Sequence, residues 1–264
     1  MTRTSTGTNG DATLNASLLG SLRGSVQWGL DRMLSVGYGL VYDYIFERFV
    51  PYQRLQREIL ALVEAGAGGR APSEVHVLDV GCGPGNVTFA LAEAGFVTVG
   101  LEPYAPLVEL AREKRRSRRL ANVAFRQGDL ASGASFRDGV FDDVVSVHTL
   151  YAHAQPLRLL AEAHRVLKPG GHAVLVNHTR QVGPWSTFRQ IREHDGSAAA
   201  LRALVWLLPN AIFETARRPI GPHYWDEDEF AAHVRDAGFV VLDVRRTFLN
   251  GASLLVWARR PAEG

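Results

Sequence analysis

Short apolar runs alternate with stretches of helical periodicity through the middle of the chain, and this alternation predicts an α/β fold. The first run, residues 75–80, is rich in valine and stops at a glycine-rich turn, which is typical of a buried strand in a parallel sheet. Further strands are predicted over 97–101, 123–127, 141–149 and 173–177, and helices over 86–94, 106–119 and 155–167. Because short loops join these elements, we expect a parallel sheet with helices on both faces.

A Lys-Pro-Gly-Gly sequence at 168–171 is predicted to end the helix over 155–167. Glycine would supply the C-terminal cap of this helix, and proline would prevent its continuation. The next strand is then expected to begin at residue 173.

The order of elements changes near the end of the sequence. A predicted helix over 226–237 is followed by two predicted strands, 240–248 and 253–259, which only four residues separate. Since so short a connection cannot cross between parallel strands, the pair is predicted to be an antiparallel hairpin. The whole pattern predicts a Rossmann-like sheet of seven strands whose last strand is antiparallel.

The other segments are expected to frame this core, which comprises residues 73–178 and 226–260. Residues 1–15 are rich in Thr, Ser, Gly and Asn without apolar periodicity, which predicts a flexible tail. Residues 16–72 show helical spacing and are predicted to form N-terminal helices that either pack on the core or act as a lid. Residues 179–225 are too many for a plain loop, so a helical cap insertion over the substrate is predicted.

Composition narrows the class of protein. The 264 residues are 46% hydrophobic and carry a net charge of +2, so they can bury a full core, and this mild charge does not argue for a nucleic-acid or membrane partner. The single cysteine, Cys82, excludes an intrachain disulfide, and no Cys/His spacing resembles a metal site. There is no apolar run long enough for a membrane span and no secretory signal pattern, so we expect a cytoplasmic protein.

The glycine-rich turn after the first predicted strand is the strongest candidate for a binding site. It opens a predicted helix, whose N-terminal amides and dipole favour an anionic group. A dinucleotide-binding turn has the spacing G-x-G-x-x-G, whereas Gly81, Gly83 and Gly85 have the spacing G-x-G-x-G and Asn86 stands at the third position. Glu102, at the end of the next strand, suits a ribose diol in either case and does not distinguish the two.

Five segments, in the same order along the chain, resemble the motifs of class I S-adenosylmethionine-dependent methyltransferases. They are residues 78–85, Glu102, residues 128–130, residues 141–146 and residues 167–171. Among these enzymes the chain is similar to those that methylate small molecules in quinone and natural-product biosynthesis. The family's sheet has seven strands with an antiparallel last strand, which agrees with the order read from the pattern.

The resemblance implies that the cofactor is S-adenosyl-L-methionine and that each motif has a place around it. The residues carried over are Asp79, Gly81, Gly83 and Gly85 for the methionine part, Glu102 for the ribose, and Pro103, Asp129 and Leu130 for the adenine.

Two further residues are expected near the sulfonium of the cofactor. His148 follows the fourth predicted strand. Tyr42 is the candidate for an N-terminal aromatic residue that closes the site, where its ring would favour the sulfonium charge by about 0.5 to 2 kcal/mol.

Methyl transfer is an in-line displacement that depends mainly on positioning, but an oxygen or nitrogen acceptor would benefit from a base. His178, at the end of the fifth predicted strand, is the preferred catalytic residue, with a purely structural histidine as the alternative. His148 and His153 also follow strand ends.

The acceptor is expected to be a small apolar or aromatic molecule, methylated at oxygen, nitrogen or carbon. Residues 198–213 of the predicted cap are strongly apolar, which suits such a substrate; equally, they suit packing of the cap or a surface for a homodimer. Arginines over 112–119 could contact phosphates, but Glu109 and Glu113 share their helix and favour a solvated basic face. RNA or protein methylation and a non-catalytic cofactor-binding role remain alternatives.

Overall fold

The computed structural model describes residues 49–132, 136–179, 184–204, 207, 223–249 and 251–262. Its strands are β1 (His76–Val80), β2 (Val97–Glu102), β3 (Val123–Gln127), β4 (Phe141–Val147), β5 (Leu167–His178), β6 (Val240–Thr247) and β7 (Ser253–Arg259). Its helices are α1 (Val50–Gly66), α2 (Asn86–Glu93), α3 (Ala105–Arg118), α4 (Pro156–Val166), α5 (Pro184–Asp195) and α6 (Glu227–Asp236), with a further helical stretch at 197–204.

The strands form one sheet in the order β3-β2-β1-β4-β5-β7-β6. The first five strands are parallel to their neighbours, and β7 lies between β5 and β6 and is antiparallel to both. The predicted seven-stranded sheet with an antiparallel last strand is therefore confirmed. β7, the last strand in the sequence, therefore lies inside the sheet, and β6 forms the edge.

Alternating residues of the central strands pack against two helical layers, as the pleat of a strand requires. On one face Val77 and Val145 belong to a core shared with α1, α2 and α5. On the opposite face Leu78 and Val144 belong to a core shared with α4 and α6. Both faces of β1 and β4 are covered, which explains why residues at successive positions of these strands are buried.

Helix starts follow the local sequence signals. Pro51 lies in the first turn of α1, where its missing N–H costs nothing. Asp226 caps α6 by accepting from the backbone N–H of Glu229, and the Glu229 side chain accepts from Asp226 in return.

The predicted glycine cap at the end of the helix over 155–167 was wrong. α4 ends at Val166, and Leu167 is already extended and pairs with Phe141, so the glycines of 168–171 do not cap the helix. Burial of the Leu167 side chain in the core draws the chain directly into β5. The Lys-Pro-Gly-Gly sequence instead forms an irregularity within this strand, before regular pairing with β4 resumes at His172.

The fourth strand is also shorter than predicted. It ends at Val147 because His148 has a φ of 52°, a left-handed conformation that no strand residue adopts. This reversal turns the chain at the edge of the sheet where the candidate site lies.

The predicted segments outside the core are described only in part. Tyr42, the predicted tail and most of the predicted N-terminal helices lie outside the described residues, which include α1. The predicted cap is represented by α5 and the helical stretch at 197–204. Among the described residues, no helix is both long and apolar enough to cross a membrane.

A pair of polar contacts ties α1 to the last hairpin. Glu58 accepts hydrogen bonds from Arg245 Nε at 2.7 Å and from Thr247 Oγ1 at 2.6 Å. Because β6 lies at the edge of the sheet, these contacts and the packing of Phe49 against Phe248 join the first described helix to the C-terminal unit.

Asp143 is a buried carboxyl in the centre of β4. Neither of its oxygens has a hydrogen-bond partner among the described residues. Its pKa is raised to about 8, mainly by burial and also by the negative charge of Asp142, while Arg70 acts in the opposite direction. The neutral, protonated form is therefore the one that the core accommodates.

This burial predicts a pH-dependent stability. Folding raises the pKa of Asp143, so the native state binds the proton more tightly than the unfolded chain does. The resulting stabilisation is lost as the pH rises from about 4, the pKa in the unfolded chain, to about 8, the pKa in the native state. Relative to the neutral variant Asp143→Asn, the wild-type protein should lose stability between pH 5 and pH 8. Urea unfolding of both proteins across this range measures the difference, and a constant difference would contradict the assignment.

Candidate functional site

The carboxyl ends of β1, β2, β4 and β5 meet at one edge of the sheet, as they must in a parallel arrangement. The turn after β1 is folded towards β2, since the backbone N–H groups of Gly81 and Cys82 both donate to the carbonyl of Leu101 at 2.8 and 3.1 Å. Gly85 is the N-cap residue of α2. The predicted glycine turn is thus a turn between the central strand and a helix N-terminus.

The glycines of this turn have different surroundings. A Cβ atom on Gly81 would lie 2.2 Å from Thr149 Oγ1, and one on Gly85 would lie 2.7 Å from the ring of Phe125. A Cβ on Gly83 would meet nothing within 4 Å, although its φ of 54° also favours glycine. Gly83 is therefore the position of the three at which the backbone faces open space that a ligand can enter.

Glu102 stabilises the turn at Gly83 through a hydrogen bond. Its carboxylate is only 5% exposed and accepts from the backbone N–H of Gly83 at 3.0 Å through Oε2 and from that of Tyr104 at 3.0 Å through Oε1. An ionised carboxylate accepts hydrogen bonds and donates none, which suits ligand hydroxyls.

Asp79 adds a second carboxyl beneath the turn. It is 2% exposed and accepts from Thr88 Oγ1 at 2.6 Å. Burial raises its pKa to about 7, the hydrogen bond from Thr88 lowers it, and the charge of Glu102 raises it. A positively charged group at this edge would favour the ionised form of Asp79, so the pair of carboxyls fits a ligand that carries an ammonium.

The predicted adenine residues occupy a neighbouring loop. Asp129 accepts from the backbone N–H of Ala131 at 2.9 Å and from Ser132 Oγ at 3.0 Å, and His153 Nε2 lies 3.1 Å from its Oδ1. Leu130 has a fully buried side chain within the core, so a ligand could reach only its backbone.

Pro103 is exposed directly after β2. Its carbonyl accepts from Gln127 Nε2 at 3.3 Å, which links it to the end of β3. Pro103 therefore lies at the sheet edge, and its place beside a ligand ring stays a prediction.

His148 and His178 lie side by side at the ends of β4 and β5. Their rings are stacked, with centroids 3.8 Å apart and planes inclined by 7°. Ser253 Oγ lies 2.9 Å from Nε2 of His148 and 3.0 Å from Nδ1 of His178, so one hydroxyl bridges the two rings. The structure thus brings together the two histidines that the sequence proposed separately.

The surroundings of this pair keep both rings uncharged. Burial lowers the pKa of His178 to about 4, which a hydrogen bond to the Ala252 backbone partly opposes. Burial lowers the pKa of His148 well below its usual range, and the neighbouring His178 lowers it further. At neutral pH each ring is therefore both a donor and an acceptor of hydrogen bonds.

Aromatic side chains enclose the histidine pair. The Tyr151 ring lies edge-on to His178 at 4.9 Å, and the Phe248 ring lies 5.1 Å from His148. Ser253 and Phe248 were not among the predicted site residues. The signal that could have found Ser253 is the antiparallel register, which places it directly opposite His178.

The basic residues of α3 are used within the fold. Arg112 donates to the Phe125 carbonyl and pairs with Glu109. Lys114 donates to the Pro84 carbonyl, and Arg118 pairs with Glu93. These contacts support a structural role for the basic helix. Among the described residues, no group of three His, Cys, Asp or Glu side chains could hold a metal ion.

Comparison with known proteins gives consistent matches. Residues 78–175 match a family described as a methyltransferase domain. The chain is 34% identical over 160 residues to an uncharacterized methyltransferase of Mycolicibacterium gilvum, covering 58% of this chain and 60% of that protein. It is 33% identical over 115 residues to a demethylmenaquinone methyltransferase of Lactiplantibacillus plantarum, covering 42% and 48% respectively. The chain thus spans less than two thirds of the length of each of these relatives.

Solved structures share the fold. The magnesium protoporphyrin IX methyltransferase of Synechocystis, with bound S-adenosylhomocysteine, has a TM-score of 0.60 at 18% identity, covering 88% of this chain and 94% of that one. The [4+2]-cyclase SpnF has a TM-score of 0.58 at 20% identity, covering 82% and 84% respectively.

The open space at Gly83 yields a test of the cofactor site. Gly83→Leu should weaken S-adenosylhomocysteine binding by at least about tenfold, because the new side chain fills the space in front of the turn. Isothermal titration calorimetry measures the affinity directly.

Gly69 supplies a matched control. It also has a positive φ, 84°, and open space, but lies in the loop before β1, at the opposite end of that strand. Gly69→Leu should cost a similar left-handed strain of about 1 to 2 kcal/mol and leave binding unchanged. Equal affinities of the two variants would show that the ligand does not approach Gly83.

Proposed function

We propose that the chain transfers a methyl group from S-adenosyl-L-methionine to a small apolar or aromatic molecule, and the match of residues 78–175 to a methyltransferase domain supports this proposal. The observation that carries this proposal is the convergence, at one edge of the sheet, of the turn open at Gly83, the buried carboxylate of Glu102 and the histidine pair.

The chain's own residues suit the parts of this cofactor. Glu102 places a hydrogen-bond acceptor beside the turn, where ribose hydroxyls would donate to it, and the carboxyl of Asp79 favours a nearby ammonium. When bound, S-adenosyl-L-methionine supplies a methyl group activated by its sulfonium. Asp129 and the exposed Pro103 would bound the adenine, and Tyr42 remains the predicted N-terminal aromatic residue.

A cavity whose wall includes Phe248, a residue whose ring also packs against both histidines, is the proposed place for the acceptor. It measures about 210 Å³ and lies between α1, α5 and the end of β6. Leu55, Ile191 and Phe248 supply apolar walls, and Arg54 and Gln190 supply polar groups. A small enclosure of mixed character suits a small ring system with one or two polar substituents better than a macromolecule.

The cavity wall nearest the histidines consists of two residues with an unusual backbone conformation. Phe248 and Leu249 have φ values of 53° and 42°, which are rare for residues with side chains. Both side chains are buried, and the Phe248 ring contacts both histidines and Tyr52. Strain of this kind persists where packing compensates for it and is frequent at functional sites.

His178 is the proposed proton acceptor. Its pKa of about 4 makes it a weak base, but it is uncharged at neutral pH and can accept a hydrogen bond. A hydroxyl oxygen becomes strongly acidic as it acquires the methyl group, so a weak base suffices late in the transfer. Exclusion of water by Tyr151 and Phe248 would strengthen that interaction.

His178→Gln should lower kcat about tenfold or more and leave S-adenosylhomocysteine affinity unchanged, because the side chain acts on the acceptor. Since burial lowers the pKa of His178 to about 4, the wild-type rate with a non-titrating acceptor should be independent of pH between 6 and 8. A rate that rises with a pKa near 6.5 would contradict the buried state of this ring. His76→Gln, at an exposed position at the start of β1, is the control and should keep full activity.

The substrate class is tested with radiolabelled S-adenosyl-L-methionine and a panel of quinols, phenols, short peptides and total RNA. We expect label in one or more of the small aromatic compounds. Label confined to RNA or peptide would contradict the small-molecule proposal. Binding of S-adenosylhomocysteine without transfer to any of the panel would favour a non-catalytic role.

A further inference from the structure

The hydroxyl of Ser253 lies where its single proton determines the tautomers of two histidines. The residue is fully buried at the start of β7. Its hydroxyl contacts Nε2 of His148 and Nδ1 of His178 at 2.9 and 3.0 Å. Since β7 runs antiparallel to β5, its first residue lies at the edge where the parallel strands end.

A hydroxyl has one proton to donate, so it cannot donate to both rings. If it donates to one ring nitrogen, that nitrogen is unprotonated, and the hydroxyl oxygen can accept from the other ring. Two arrangements satisfy this rule: both rings carry their proton on Nδ1, or both carry it on Nε2. Because the hydroxyl contacts Nε2 of one ring and Nδ1 of the other, the two rings must be in the same tautomer.

The residue before Ser253 favours one of these arrangements. The Ala252 backbone raises the pKa of the His178 ring through a hydrogen bond, which is the effect of a carbonyl oxygen that accepts from the ring. The nitrogen that faces it must therefore carry the proton. Because Ala252 and Ser253 are consecutive, we assign this proton to Nδ1, the nitrogen that also contacts Ser253.

We propose that Ser253 is a positioning residue of the methyl-transfer site, which holds both His148 and His178 in the Nδ1–H tautomer and so leaves Nε2 of His178 free to accept a proton. The inference rests on the proposed function of the site. In this arrangement His178 donates through Nδ1 to Ser253, and Ser253 donates to His148. His148 completes the chain of hydrogen bonds and does not itself need to contact the acceptor.

The stacked geometry explains why such a device is useful. At a centroid distance of 3.8 Å the two rings cannot both become cationic without strong repulsion. A fixed order of hydrogen bonds therefore assigns the role of proton acceptor to one ring. It also prevents His178 from turning its N–H towards an acceptor hydroxyl.

Nitrogen-15 NMR of the histidine-labelled full-length protein tests the proposal, since protonated and unprotonated ring nitrogens differ widely in chemical shift. Both with and without S-adenosylhomocysteine, both rings of the wild-type protein should show a protonated Nδ1 and an unprotonated Nε2. Ser253→Ala removes the donor to His148, which should then show a mixture of tautomers. Ser253→Thr keeps the hydroxyl and should restore the wild-type signals.

Activity gives a second readout. With any acceptor found in the panel above, Ser253→Ala should lower kcat about tenfold with little change in KM for S-adenosyl-L-methionine, and Ser253→Thr should recover most of it. Thr98→Val removes another buried hydroxyl, on β2, and should change neither the histidine signals nor kcat.

An Nε2–H tautomer on either ring of the wild-type protein would overturn the proposal, as would unchanged histidine signals in Ser253→Ala or equal changes in Thr98→Val. Failure of S-adenosylhomocysteine to bind would instead contradict the proposed function, because the tautomers can be measured without any ligand.

Discussion

A hydrogen bond between a buried carboxylate and a backbone amide organises the edge of the sheet. Glu102 at the end of β2 accepts from Gly83 in the turn after β1, and the same turn donates two further bonds to Leu101. Because these contacts hold the turn against the neighbouring strand, Gly83 keeps its open side. Without Glu102 the left-handed backbone of the turn would lose its support at the point where a ligand approaches.

The other half of the site depends on the antiparallel strand. β7 is inserted between β5 and β6, so its first residue reaches the edge at which β4 and β5 end. Ser253 thereby meets two histidines that belong to different strands. In the proposed site, the parallel strands would supply the cofactor side, and the antiparallel strand would supply the residue that orders the acceptor side.

The sequence predicted the sheet, the glycine turn and the acid at the end of the next strand, because all three are encoded locally. Apolar strands, a glycine turn and an acid at the next strand end are separated by few residues, and each has a short-range physical cause. The stacking of His148 on His178 and the bridge through Ser253 depend on strand register across about 100 residues, which no local pattern reveals. The turn at 168–171 was misassigned because burial of Leu167 outweighed the preference of glycine for a helix end.

The contact of Glu58 with Arg245 and Thr247 has a consequence for the order of assembly. These partners are 187 and 189 residues apart, so during synthesis α1 leaves the ribosome long before β6 exists. Contacts between residues so far apart in sequence form late in folding, because the long segment between the residues must first be closed into a loop. The cavity between α1, α5 and β6 is therefore among the last features to be completed, and a nascent chain would form the turn at Gly83 before this cavity.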